Sequence, residues 1–256
     1  MLLNCKAWVS ISNKNMRSLE QVDEMLLSRI LNCAGNTSNA MKYLELGVYP
    51  IRFEIYRRTI LFLQYILKED ESSMIYKVLQ ATINDPTKNY FVAKCNLALA
   101  EFELEMTFNE IGAMSKNQLK RLLKENVRKS SLKYLTKQIE GQSKTNNIEY
   151  KQLKIQDYFV NGECGKNLSQ LIFKARSKTL EIKEHKKWKF QDLLCVGCKE
   201  NEETGLEILT CEKLDNKISS KNDQGITYDW FYSENTNRKI TAGKLLESRL
   251  KERSKL

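Results

Sequence analysis

Three cysteines near the C-terminal end have the spacing with the clearest chemical meaning. Cys195-Val196-Gly197-Cys198 is a CxxC step, and Cys211 follows it. A two-residue step lets both thiolates face one ion, as in the first half of a zinc knuckle. Gly197 frees the turn between them. A closed structural zinc site needs four ligands in tetrahedral geometry, and the histidine that usually precedes the last cysteine has no counterpart here. Glu207 stands close to that place, and Glu203 is a further oxygen donor. A carboxylate binds zinc at ~2.0–2.2 Å but is unusual in a structural site. Three readings stand at this point. One is a Cys3Glu zinc site built from Cys195, Cys198, Glu207 and Cys211. Another is a degenerate knuckle without stable metal. The third is a set of cysteines that pack as small apolar side chains. A thioredoxin-like redox pair does not fit, because no βαβ pattern surrounds the CxxC.

No other constellation points to catalysis. His185 is the single histidine, and no nucleophile is arranged around it as a triad requires. Gly-rich phosphate loops are missing. No paired aspartates lie between β-type segments, as two-metal nucleotidyl transfer requires. The run Glu69-Asp70-Glu71 falls at a helix end and reads as solvated loop. The expectation is a chain that is not an enzyme.

Charge points to a polyanion. The 256 residues carry a formal net charge of +10, with a pI near 9.1. Clustered Lys and Arg displace counterions from a phosphate backbone. From Lys116 to about Glu140 an apolar stripe (Leu119, Leu122, Leu123, Val127, Leu132, Leu135, Ile139) predicts one long helix. Its remaining positions carry Lys116, Lys120, Arg121, Lys124, Arg128, Lys129, Lys133 and Lys137 against Glu125. Lys120, Arg121, Lys124 and Arg128 are the candidate phosphate contacts, although a solvated helix face has the same composition. A second basic stretch offers Lys174, Arg176, Lys186, Lys187, Trp188 and Lys189. Trp188 and Phe190 among lysines suit base stacking with phosphate contact, and equally suit aromatics that fill a core.

The elements that must position these groups are helices. Two prolines and ten glycines are few breakers for such a length. Amphipathic periodicity predicts helices over 16–33 and 51–68, the latter started by Pro50 and apolar on most sides. Further helices are expected from Ser72 or Ser73 to Thr82, from about Lys88 to Glu105, around Glu149 to Tyr158, over Leu168 to Lys178, and from about Arg238 to the end. Thr107 with Glu110 and Ser115 with Gln118 have capping-box spacing. The expected fold is mainly α: an irregular multi-helix bundle, then a small degenerate zinc-knuckle-like segment, then a C-terminal helix. The expected divisions are a helical region 1–140, a linker 141–148, a basic helical segment 149–194, the knuckle 195–211 and a tail 212–256. Seven scattered cysteines, no leader pattern and no run of ~18 apolar residues point to a reducing nucleus or cytoplasm and to no membrane span.

Several separated stretches also resemble one known family. They are Cys5-Lys6-Ala7-Trp8, Leu19-Glu20-Gln21-Val22-Asp23-Glu24-Met25-Leu26-Leu27, Tyr43-Leu44-Glu45-Leu46-Gly47-Val48-Tyr49-Pro50-Ile51-Arg52, and Arg57-Arg58 with Leu61 to Ile66. Their order is similar to the region after the polymerase core in LINE-type (non-LTR) retrotransposon reverse transcriptases. Leu171-Ile172-Phe173-Lys174-Ala175-Arg176-Ser177 resembles the helix before that family's C-terminal knuckle. Cys195-x-x-Cys198, Glu203-Thr204 and Leu209-Thr210-Cys211 resemble the knuckle itself. The resemblance implies a non-catalytic fragment that holds template RNA or target DNA, with a polymerase domain supplied by another chain. Neither a polymerase palm nor an endonuclease is present, so a truncated or internally started fragment is expected. The knuckle departs from the CCHC pattern at its histidine. The alternative is a structural or interaction protein whose helices need a partner surface; exposed apolar residues on 16–33 or 51–68 would mark that surface.

Overall fold

The computed structural model describes residues 11–35, 37–84, 90–140, 142, 148–214 and 226–255. Among these the chain is mainly α, with no strand and two isolated antiparallel bridges, Leu46 to Ile155 and Leu194 to Glu202. The helices are α1 (Asn13–Leu31), α2 (Asn39–Leu46), α3 (Ile51–Leu67), α4 (Met74–Asn84), α5 (Tyr90–Glu101), α6 (Phe108–Ala113), α7 (Lys116–Glu140), α8 (Asp157–Val160), α9 (Lys166–Arg176), α10 (Gly205–Thr210) and α11 (Thr236–Arg253). No described helix is long and apolar enough to cross a membrane.

The chain divides into two units. The first comprises Met1–Leu26, Val48–Lys137 and Tyr150–Leu153, and the second Leu27–Gly47, Gln138–Glu149 and Lys154–Leu256. The sequence grouped 27–47 with the helices that follow it. The structure packs this segment with the later ones, because Glu45 and the Ile30 carbonyl find their partners on α9. Of the expected linker, Gly141 and residues 143–147 lie outside the described residues.

In the first unit α3 is the central helix, as its apolar sides require. Phe53, Ile60 and Leu63 are fully buried and pack with Cys95, Ala98 and Phe102, with Ile111, and with Leu119 and Leu123. Gln64, buried among them, donates to the carbonyls of Ile111 and Met114 at 3.1 and 3.0 Å, which fixes the end of α6. Both capping boxes form. Thr107 and Glu110 exchange side-chain and backbone hydrogen bonds at the start of α6. Ser115 and Gln118 do the same before α7. Arg57 and Arg58 turn back onto Glu54 at 2.6 Å each. Burial pushes the Glu54 carboxyl upward, but the two guanidiniums outweigh it and hold it below its ordinary value.

In the second unit α11 lies against α9. Leu168, Ile172 and Ala175 meet Ile240, Ala242 and Leu246 in one buried cluster. Glu45 of α2 is fully buried and accepts from Arg176 Nε at 2.8 Å and from the Tyr158 hydroxyl. Gly47 ends α2 at φ +63°, and a Cβ there would stand 2.0 Å from the Ile155 nitrogen. Only glycine fits that left-handed, crowded position. The helix expected around Glu149 to Tyr158 is confined to α8. The Gln156 N–H donates to the Glu45 carbonyl at 3.0 Å and Ile155 bridges Leu46, so the residues before α8 are not helical.

Candidate metal centre

The CxxC sits in a short hairpin-like loop. The Cys195 N–H donates to the Asn201 carbonyl at 2.7 Å and the Glu203 N–H to the Leu193 carbonyl at 2.6 Å, closing the loop beside the Leu194–Glu202 bridge. The Lys199 N–H returns to the Cys195 carbonyl at 3.0 Å, with Lys199 itself at φ +62°. Gly197 is not the left-handed residue of this turn. Its missing Cβ instead leaves room for Leu214 and the Cys211 sulfur, which such an atom would meet at 3.0 and 3.3 Å.

Thr204 then starts α10, its hydroxyl accepting from the Glu207 N–H at 3.0 Å. This is the capping position the residue type favours. Glu207 and Cys211 are four residues apart and share one side of the helical turn. The Glu207 side chain does not complete a capping box. It lies 3.2 Å from Cys198 Sγ instead.

One ligand atom from each of Cys195, Cys198, Glu207 and Cys211 lies within 4.8 Å of every other. Cys195 Sγ and Cys211 Sγ are 3.7 Å apart. Two sulfurs of a tetrahedral zinc site, each ~2.3 Å from the ion, are separated by about 3.8 Å. Cys195 and Cys211 are buried, and Cys198 and Glu207 half-buried. Burial is the main cause that pushes the Cys211 thiol up to about 11; N–H groups of Lys213 and Leu214 oppose it and the neighbouring Cys195 thiol adds to it. The four side chains can therefore hold a metal ion, and with all four bound no coordination position stays open for substrate. Glu203 is not part of the set. Its carboxylate is wholly buried on Arg253.

The candidate phosphate contacts divide by exposure. Lys120, Arg121, Lys124 and Arg128 are exposed along α7 while Leu119, Leu123 and Val127 turn inward. Lys187, Trp188 and Lys189 are exposed, Trp188 at 77%. Lys174 is half-buried. Arg176 and Lys186 are withdrawn from any such surface. Arg176 is spent on Glu45 and on the Phe231 carbonyl. Lys186 is buried beside Glu181 at 3.2 Å. His185 is also internal, its Nδ1 accepting from the Leu180 N–H at 3.1 Å.

No known protein family matches this chain. No curated protein and no solved structure matches it either.

The residues that sequence reasoning passed over are Lys183 and Arg249, which hold the main chain at Leu194 and Cys211, and Arg253, which holds the Glu203 carboxylate. The four-residue spacing of Arg249 and Arg253 on one helix face is the one local sign of them.

Proposed function

We propose that this chain is a non-catalytic nucleic-acid-binding module in which Cys195, Cys198, Glu207 and Cys211 hold a structural zinc ion. In this reading it is a counterpart of the post-polymerase region of a LINE-type reverse transcriptase. The observation that carries it is Trp188, 77% exposed and flanked by exposed Lys187 and Lys189. A base stacked on it between two ammonium groups suits a single strand. The outward Lys120, Arg121, Lys124 and Arg128 supply phosphate contacts of the same sign.

The test is binding of a labelled single-stranded RNA across a salt series, for wild type and Trp188→Ala. Affinity is expected to fall by orders of magnitude over a few-fold rise in salt. Trp188→Ala is expected to lose about 1–3 kcal/mol. Salt-independent binding, or none, rules the reading out.

A second reading as an interaction protein has its own observation. Met25 and Ile30 of α1 are 46% and 55% exposed, and Met74 and Val78 of α4 are 77% and 53%. Met74 and Val78, one helical turn apart, are the pair that fits a contact surface. Concentration-dependent self-association, or capture of a defined protein partner without RNA binding, favours it.

A further inference from the structure

The ligand segments of the cysteine centre are gripped by charged side chains that are not themselves ligands. Glu203 follows the hairpin-like loop directly, and its carboxylate has 0% exposure. Oε1 accepts from the Lys183 N–H at 3.0 Å. Oε2 accepts at 3.4 Å from the N–H of Val196, inside the CxxC itself. Arg253, near the end of α11, closes on the same carboxylate with Nε to Oε2 at 3.1 Å and Nη2 to Oε1 at 2.8 Å. One helical turn earlier, Arg249 Nη1 donates to the Cys211 carbonyl at 2.9 Å. Lys183 Nζ donates at 2.6 Å to the carbonyl of Leu194, the residue before Cys195.

A buried ion pair adds little net stability, because desolvation of both ions offsets their attraction. The Glu203–Arg253 pair therefore needs a different explanation, and the surrounding geometry supplies one. Glu203, Arg249 and Lys183 reach main chain at Val196, Cys211 and Leu194, at or beside a ligand, and Arg253 holds the Glu203 carboxylate in place, so together they fix where the Cys195 and Cys211 sulfurs point. The charge balance agrees. Three thiolates and a carboxylate around a divalent ion leave a net double negative charge, where a histidine ligand would leave a single one. The guanidiniums of Arg249 and Arg253 lie on the side of α11 that faces this centre and offset that charge in a poorly hydrated place.

We propose that Glu203, Arg249 and Arg253 are positioning residues for the metal centre, and that metal occupancy is coupled through them to the seating of the C-terminal half of α11. The inference rests on the metal reading of Cys195, Cys198, Glu207 and Cys211. Partners one layer out from metal ligands set ligand orientation, and their loss weakens metal affinity by about 10–100-fold.

The experiment measures Zn²⁺ affinity of the full chain by competition with a chelator, beside the thermal midpoint of the metal-free protein. Wild type is expected to bind zinc, and Arg253→Gln and Arg249→Lys to bind it about 10–100-fold more weakly. Ile240→Val trims the core face of the same helix and is expected to lower the midpoint without moving zinc affinity. Arg249→Lys keeps the charge and the fold, so the proposal stays open to refutation if Arg253→Gln does not fold. Equal zinc affinity in wild type and both arginine variants overturns the inference and leaves the metal reading standing. So does a loss that Ile240→Val reproduces at the same thermal midpoint. No zinc uptake by wild type overturns both.

Discussion

Charged groups in the second unit serve as internal struts, and Lys239 shows the consequence most sharply. It is 5% exposed, its ammonium 5.7 Å from the centre of the Tyr158 ring. Burial, aided by Arg176, brings it from the ordinary 10.5 down to about 8, while Glu45, Asp157 and Glu234 oppose the shift. Between those two values the unfolded chain holds a proton that the folded chain has lost, so stability contributed by this residue rises with pH across the window. Below about pH 8 the fold carries the penalty of a desolvated ammonium. Lys239→Met is expected to stabilise the protein there by about 1–3 kcal/mol, with the gain shrinking as pH climbs toward the upper value. Denaturant unfolding at several pH values checks this; a gain that does not change with pH contradicts it. Arg176 illustrates what local sequence conceals. On the helix Lys166–Arg176 it looks like one more basic residue near Lys174, and its partner Glu45 is far away in the chain. Nothing in the spacing of either residue reveals the pair. Trp188 was also not decided by its neighbours, since its lysine-rich flank fits either a stacking or a core aromatic; it stands 77% exposed, while Lys186 two residues before it is buried.

Helix starts were the most legible elements, because caps are local chemistry. Thr107 with Glu110, Ser115 with Gln118 and Pro50 before α3 all stand where residue type places them. Thr204 belongs to the same class and has more depending on it. It fixes the first turn of α10, and through that turn the position of Glu207 and Cys211. Thr204→Ala is expected to cost about 1 kcal/mol of stability. If zinc is bound, it should also weaken zinc, since Glu207 then lacks a fixed turn. Parallel thermal melts with and without zinc read both effects; a variant with unchanged melts in both states contradicts this role. The absence of helix before α8 is not legible in the sequence. The apolar residues Tyr150, Leu153 and Ile155 fit a short helix, and the hydrogen bond from Gln156 to α2 that overrides helix formation is long-range. Gly197 departs from expectation for a related reason. CxxC spacing suggests a flexible turn, whereas the left-handed residue is Lys199 and Gly197 yields space to Cys211.

At the scale of the chain, the mainly α class followed from few prolines, few glycines and repeated amphipathic stretches. The membership of 27–47 in the second unit did not, because it depends on Glu45 and Ile30 meeting α9. Both units present basic residues. In the first unit the exposed face of α7 carries them, and in the second Lys187 and Lys189 flank Trp188. The cluster of Cys195, Cys198, Glu207 and Cys211, which could hold a metal ion, is the other chemical feature of the second unit, and bound metal would bear on stability. An ion bound only by the folded state adds to stability in proportion to the logarithm of its concentration over the dissociation constant. In the proposed zinc site a carboxylate, Glu207, completes the ligand set in place of a histidine. The most direct measurement is the zinc stoichiometry of the purified chain by native mass spectrometry, for wild type, Cys195→Ser, Glu207→Ala and Glu207→His. The expected result is about one zinc per wild-type chain, loss in Cys195→Ser and in Glu207→Ala, and retention in Glu207→His. A metal-free wild type, or a Glu207→Ala variant that holds zinc as fully as wild type, contradicts it.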